Sequence, residues 1–256
     1  MSESKTILNK NGEKIFVEVF TPTTIKGTIV FCHGITGCRK GRTMDDDYFQ
    51  KFAGILQDRN YKVVLFDFSG HGESEGQDRD VTLSKSTEEL SRVFAEEVDT
   101  SKDIKFLAFS YGAAVLCNFL MSNPSIVPSK IVLFSPCIFP LASCFLSNKS
   151  IFGKDIVAAY DSGDLEKTGY AIVGAKNFKF GNKMIDECRG FSPDKFIELR
   201  DRILVLTGTQ DVILETKYNE AFCKENNIEM HYYDASHSLF ETIDDVFADT
   251  MTFFEV

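Results

Sequence analysis

Apolar positions along the chain fall into two rhythms. Near-continuous β-rich runs occur at Gly27–Cys32, Tyr61–Phe66, 105–109, Lys130–Phe134 and 202–207. A strand without alternation is one covered on both faces. Lys14–Phe20 alternates loosely and stops at Thr21-Pro22, and Glu229–Tyr233 reads as a final strand. Between these runs the period lengthens. Phe49, Phe52, Ala53 and Leu56 share one face of a helix predicted over 48–59. Ser86 and Glu89 have capping-box spacing and open a predicted helix reaching about residue 98. A helix follows residue 110 as far as about 121, before Asn123-Pro124, and two more are predicted over 214–225 and 238–254.

Buried strands alternating with amphipathic helices predict an α/β fold, a mostly parallel central sheet with helices on both faces. The rhythm breaks between 137 and 197, where Phe and Leu cluster early, Gly is scattered and no alternation is visible. That block is expected to be a lid inserted over one end of the sheet, within a single domain spanning 1–256. Ligands of such sheets bind outside the carboxyl ends of the strands, so the chemistry is expected in the loops that follow them.

Composition narrows the function. A length of 256 residues with 43% hydrophobic positions suits one α/β domain with a substantial core. A net charge of −10 without a long basic run argues against nucleic acid as the main partner. The seven cysteines are odd in number, scattered and free of any C-x-x-C pair, which suggests neither a disulfide framework nor a zinc site. Asp45-Asp46-Asp47 reads as a solvated loop, not a metal site. Met1-Ser2-Glu3-Ser4-Lys5 lacks the apolar segment of a signal peptide, and no run is long enough to span a membrane. A cytoplasmic protein with reduced thiols and no cofactor is expected, its oligomeric state open.

The chemistry centres on 105–114, where an apolar strand-like run passes through Ser110 into a run of small residues. A sharp strand-to-helix turn would lift the serine oxygen above the sheet, and the residues two away must then be small. They are Ala108 and Gly112. Taken alone, the pattern equally fits a serine capping a helix. A serine hydroxyl needs a base, and the chain has four histidines. His33 and His71 lie in glycine-containing turns and suit bracing by hydrogen bonds, while His231 lies inside the last strand. His237 follows that strand in a loop and is the candidate base. Asp211 follows the preceding strand at the same edge and can orient the histidine. Backbone N–H groups of Tyr111 and Ile35 are the expected donors to an oxyanion, Gly34 letting the chain pass close to the ligand.

Taken together, HGITG at 33–37, DFSGHGESEG at 67–76, AFSYG at 108–112, TGTQD at 207–211 and ASH at 235–237 resemble the α/β-hydrolase superfamily over essentially the whole chain. Within it the likeness is greatest to small carboxylesterases of the cinnamoyl and feruloyl esterase kind, and to the related monoacylglycerol lipases and S33-type hydrolases. The one departure is Ala108, where the pattern has glycine. The resemblance implies an oxyanion donor at Ile35 and a lid at about 137–197 that forms part of the pocket. The expected function is a cofactor-free serine carboxylesterase acting on a small-molecule ester, with Ser110, Asp211 and His237 catalytic. A peptidase, amidase or thioesterase would use the same three residues, and a non-catalytic binding protein could share the fold. Phe139, Leu141, Phe145 and Leu146 form either an apolar pocket wall or the packing of the insertion onto the core. Arg39, Lys40 and Arg42 read as a solvated cluster, with recognition of a carboxylate-bearing substrate as the sharper alternative.

Overall fold

The computed structural model describes residues 2–145, 147 and 149–256. Its strands are β1 (Ser2–Leu8), β2 (Lys14–Phe20), β3 (Gly27–Cys32), β4 (Tyr61–Phe66), β5 (Asp103–Phe109), β6 (Lys130–Phe134), β7 (Tyr170–Val173), β8 (Phe178–Gly181), β9 (Ile203–Gly208) and β10 (Glu229–Tyr233). Eight of them form one sheet in the order β1-β2-β4-β3-β5-β6-β9-β10, while β7 and β8 make a separate hairpin. Pairing is antiparallel from β1 to β2 and from β2 to β4, and parallel across the remainder. The predicted α/β architecture is the one observed.

Alternate residues of the central strands feed two separate cores, because successive side chains point to opposite faces. Val30, Phe106, Ile131 and Val205 enter one core together with helices α2 (Leu83–Glu97) and α3 (Tyr111–Ser122). Ile29, Leu107, Val132 and Leu204 enter the other with α1 (Tyr48–Asp58) and α8 (Ile243–Phe254). Phe is the main filler of both cores: Phe52 stacks on Phe247 at 4.0 Å, and Phe94 meets Phe119 at 5.3 Å. The abundance of Phe thus has a structural use.

Several elements differ from the sequence expectation. β1 was not foreseen: of Ser2–Leu8 only Ile7 is buried, so this edge strand has no apolar signature, and pairing with β2 alone creates it. Helix α2 begins before Ser86, with Thr82 as its cap accepting from the Lys85 N–H at 3.2 Å. Ser86 is instead buried inside the helix, where its hydroxyl meets Tyr111 Oη at 3.0 Å, and Glu89 is buried as acceptor for Ser69 N–H and Asn9. The helix expected over 214–225 is α7 (Lys217–Asn226), which starts at Lys217 and not at 214. In the last segment Leu239 has φ of 61°, a short 3₁₀ turn covers Phe240–Thr242, and the α-helix proper begins at Ile243.

The irregular block between β6 and β9 is built from short pieces. It contains α4 (Ile151–Asp161), α5 (Asp164–Thr168), the β7–β8 hairpin and α6 (Asn182–Arg189). Glu215 N–H donates to Ser143 O at 2.9 Å and Ile151 N–H to Val212 O at 3.0 Å, fastening the block to the loop after β9. Phe139 packs on Phe222 and Phe145 on Phe180. Neither lines the cavity at Ser110, so of the two expectations for these residues packing is the one realised. Leu146 and the side chain of Leu141 lie outside what is described.

Candidate active site

Ser110 sits between β5 and α3 with φ of 53° and ψ of −119°, a positive-φ conformation that L-residues adopt only when the surroundings impose it. Three backbone bonds impose it. Ser110 N–H donates to Phe134 O at 2.9 Å, and Ser110 O accepts from Ala113 N–H and Cys137 N–H, each at 3.0 Å. Small neighbours permit it. A Cβ on Gly112 would lie 2.2 Å from Cys32 O, and one on Gly34 would lie 3.0 Å from Ser110 Cβ. Ala108 is fully buried in β5 at the position where the motif has glycine, and the turn forms with its methyl in place.

The loops after β9 and β10 are tied together before either reaches the serine. Thr209 N–H donates to Tyr233 O at 2.9 Å and Gln210 N–H to Ala235 O at 3.0 Å. Gly208 allows the approach, since a Cβ there would stand 2.3 Å from Ala235 O. Asp211 and His237 consequently face one another, with His237 Nδ1 2.7 Å from Asp211 Oδ2 and His237 Nε2 2.9 Å from Ser110 Oγ. The structure therefore brings together Ser110, Asp211 and His237 from three separate loops.

Burial would push the Asp211 carboxyl up, but the His237 charge and hydrogen bond, with the Leu214 and Ile213 N–H groups, outweigh it and hold the pKa below the usual carboxylate value. Those two N–H groups lie 2.9 and 2.8 Å from Oδ1, leaving Oδ2 for the imidazole. An ionised Asp211 accepts a hydrogen bond from Nδ1–H, which in the neutral imidazole leaves Nε2 as acceptor for the Ser110 hydroxyl. Beside the serine, neither Ile35 N–H nor Tyr111 N–H has an acceptor among the described residues.

The other histidines do different work. His33 Nδ1 lies 2.8 Å from Gly34 O and its Nε2 accepts from Phe68 N–H at 3.0 Å, bracing two loops as expected. His71 Nδ1 lies 3.0 Å from Ser69 O, and the two rings pack at 5.1 Å. Burial lowers His33 to about 4 and His71 to about 3. His231 lies between Asp249 and Glu229 at the sheet edge, away from Ser110.

A cavity of about 300 Å³ opens over Ser110 and His237, with apolar walls from Ile35, Phe109, Phe152, Val212 and Ile213. Arg42 and Lys176 line the same cavity. Arg39 does not, which corrects the expectation of one solvated basic cluster: it is 5% exposed and paired with Glu18, Asp67 and Glu73. Among the described residues no cluster of His, Cys, Asp and Glu could hold a metal ion, and no helix is long and apolar enough to cross a membrane. Asp46, from the acidic triplet, accepts from the N–H groups of Arg42 and Thr43 and closes a turn.

Residues 23–153, just over half of the chain, match the serine aminopeptidase S33 family. The chain belongs to that family. Among solved structures, this S33 family member is similar to a putative hydrolase from Agrobacterium vitis S4 at 17% identity, covering 99% of both chains with a TM-score of 0.77. It is also similar to Est1E from Butyrivibrio proteoclasticus, solved with ferulic acid bound, at 17% identity and a TM-score of 0.75, covering 98% of this chain and 97% of that one. An esterase from Pyrococcus furiosus aligns at 17% identity and a TM-score of 0.68, covering 100% and 91%. These likenesses establish the α/β-hydrolase fold. A curated relative, protein phosphatase methylesterase 1 of Candida albicans, is 30% identical over 129 residues, which are 49% of this chain and 33% of that protein. The chain thus aligns with about a third of that relative's length.

Proposed function

We propose that the protein is a serine carboxylesterase working through an acyl-enzyme. The observation that carries this reading is the unbroken hydrogen-bond series Asp211–His237–Ser110 beneath a cavity, flanked by two backbone N–H groups that find no acceptor among the described residues. Ser110 Oγ attacks the ester carbonyl as its proton passes to His237 Nε2. The carbonyl oxygen becomes an oxyanion and receives the N–H groups of Ile35 and Tyr111. On collapse the carbon–oxygen bond to the alcohol breaks, and His237 returns the proton to the departing alkoxide. Water then enters, gives its proton to His237 and attacks the acyl carbonyl; the acid leaves and Ser110 recovers its proton. Asp211 holds the imidazole in the right tautomer and stabilises its cationic form throughout.

The block at about 137–197 acts in this proposal as the lid. It contributes Phe152 and Lys176 to the cavity, and Lys176 Nζ reaches across to Thr36 O.

Aminopeptidase chemistry, suggested by the family's description, would use the same three residues. An aminopeptidase must accept a substrate ammonium, yet among the described residues no carboxylate lines this cavity and two cations do. That charge favours esters. The test is a comparison of p-nitrophenyl esters of rising chain length, methyl hydroxycinnamates, a monoacylglycerol and an aminoacyl-anilide. Turnover of an ester exceeding that of the anilide is expected. Anilide cleavage without ester cleavage would move the protein to the peptidase reading.

A further inference from the structure

The overall charge is −10, yet the described residues lining the cavity at Ser110 include Arg42 and Lys176 and no Asp or Glu. Such an inversion of sign has to be maintained against the surrounding protein. The contrast with Arg39 is direct. Arg39 lies a few residues away and meets three carboxylates, whereas the Arg42 guanidinium has no hydrogen-bond or ion-pair partner among the described residues.

Both cations are nonetheless held in place. Arg42 lies over the Phe240 ring at 4.9 Å, and Phe240 is itself stacked on Tyr48 at 4.4 Å. Lys176, from the turn between β7 and β8, donates to Thr36 O at 2.5 Å and to Arg42 O. An ammonium has three N–H donors, so one remains for a ligand. The acids that act on these cations, Asp46 on Lys176 and Glu241 on Arg42, lie outside the cavity lining and also accept backbone N–H groups, Asp46 from Arg42 and Thr43 and Glu241 from Ser236 at 3.3 Å. Burial lowers the Lys176 pKa against the opposing effects of Cys38 and Asp46, and the like charge of Arg42 adds a smaller push in the same direction as burial.

We infer that the site selects esters carrying a second, anionic oxyacid group, a carboxylate or phosphate, which Arg42 and Lys176 bind while Ser110 attacks the ester carbonyl. This rests on the carboxylesterase reading for the chemistry but not for the binding. The apolar residues that line the same cavity as the cations and Ser110 suit a hydrocarbon spacer. A guanidinium can take the anion in a bidentate pair and the ammonium can add a third donor, each such charged hydrogen bond being worth about tenfold in affinity.

The test has a kinetic and a binding half. Release of p-nitrophenol is followed from mono-p-nitrophenyl glutarate, from p-nitrophenyl phosphonopropanoate and from p-nitrophenyl pentanoate, which lacks the anion. O-pentanoyl glycolate, compared with ethyl pentanoate and followed by release of acid, places the carboxylate on the alcohol side. At low salt, kcat/KM for at least one anionic ester should exceed that of its neutral counterpart by about tenfold or more, and the arm that wins names the anion and its end. Arg42→Gln and Lys176→Met should each lower the anionic-to-neutral ratio by about tenfold, while Lys176→Arg should keep most of it. The ratio is the readout because Lys176 also braces the 36–42 loop. In the binding half, monoethyl glutarate and ethyl pentanoate are titrated against Ser110→Ala protein by ligand-observed NMR. Tighter binding of the glutarate, lost in Arg42→Gln, supports the inference even if no ester is turned over, a result that would count against the esterase reading alone. Equal binding of the two ligands, or a ratio unmoved by both substitutions, overturns the inference.

Discussion

Arg39 and Asp67 bind each other twice: the Arg39 backbone N–H reaches Asp67 Oδ1 at 2.7 Å and its Nη1 reaches Oδ2 at 2.6 Å. Asp67 is fully buried just after β4, and Arg39 belongs to the loop that follows the His33-Gly34 turn. The pair therefore clamps the proposed oxyanion loop to the neighbouring strand end. The guanidinium also meets Glu18 at 3.2 Å and lies over Phe16 at 4.1 Å.

Removing one partner of such a pair leaves a buried charge without compensation. Arg39→Met should cost about 3–5 kcal/mol of folding stability. Urea unfolding with an unchanged m-value and a lower midpoint is the check. A loss under about 1 kcal/mol would mean the network acts like a surface pair.

Gly112 gives a second prediction. Backbone, not a flexible side chain, faces its Cα: a methyl carbon added there would stand 2.2 Å from Cys32 O and 2.7 Å from His33 O. Gly112→Ala must push α3 away from β3, and so should lower the proposed ester turnover at least about tenfold or prevent folding, with overpacking costs of about 1–3 kcal/mol or more. Ala108→Gly, by contrast, asks for no movement of backbone.

Acid should destabilise the protein through His33 and His71. Both are neutral when folded, with pKa values lowered to about 4 and about 3 by burial, against the ordinary 6.5. A depressed histidine means that the unfolded chain binds more protons between these values, so stability rises with pH across that window. It is complete above about pH 6.5 and falls as pH drops towards 4, by on the order of 3 kcal/mol for each group. His71→Gln keeps a donor for Ser69 O but does not titrate. Its unfolding free energy should fall less steeply between pH 6.5 and pH 4 than that of the unaltered protein, as measured by denaturant titration at each pH.

Asp211 tests the orientation of the base. Asp211→Asn preserves size but favours the wrong imidazole tautomer, and kcat should fall by roughly three to four orders of magnitude. A change below about tenfold would assign the His237 contact to structure alone.

Much of the fold and of the candidate site was legible because its signals are local or strongly patterned. The doubly buried runs announced the parallel strands, and the small residues around Ser110 announced its turn. Asp211 and His237 were found by position after consecutive strands, which the backbone ties between 209–210 and 233–235 then join. What sequence did not show depends on partners distant in the chain. Arg39 looked like one of three solvated cations until Glu18, Asp67 and Glu73 closed around it. Ser86 and Glu89 had the spacing of a cap, but Tyr111 and Ser69 claim them and Thr82 caps the helix. Phe152 and Val212 line the cavity while Phe139 and Phe145, for which the sequence left wall and packing open, do not, because packing between the irregular block and the β9 loop decides which apolar residues face the cavity.

The most direct measurement is kcat/KM for a p-nitrophenyl ester with the unaltered protein and with Ser110→Ala, on protein shown to be folded by its unfolding midpoint. The substitution should reduce turnover by at least roughly three orders of magnitude. Near-equal rates for the two proteins would contradict the proposed mechanism and remove Ser110 as the nucleophile.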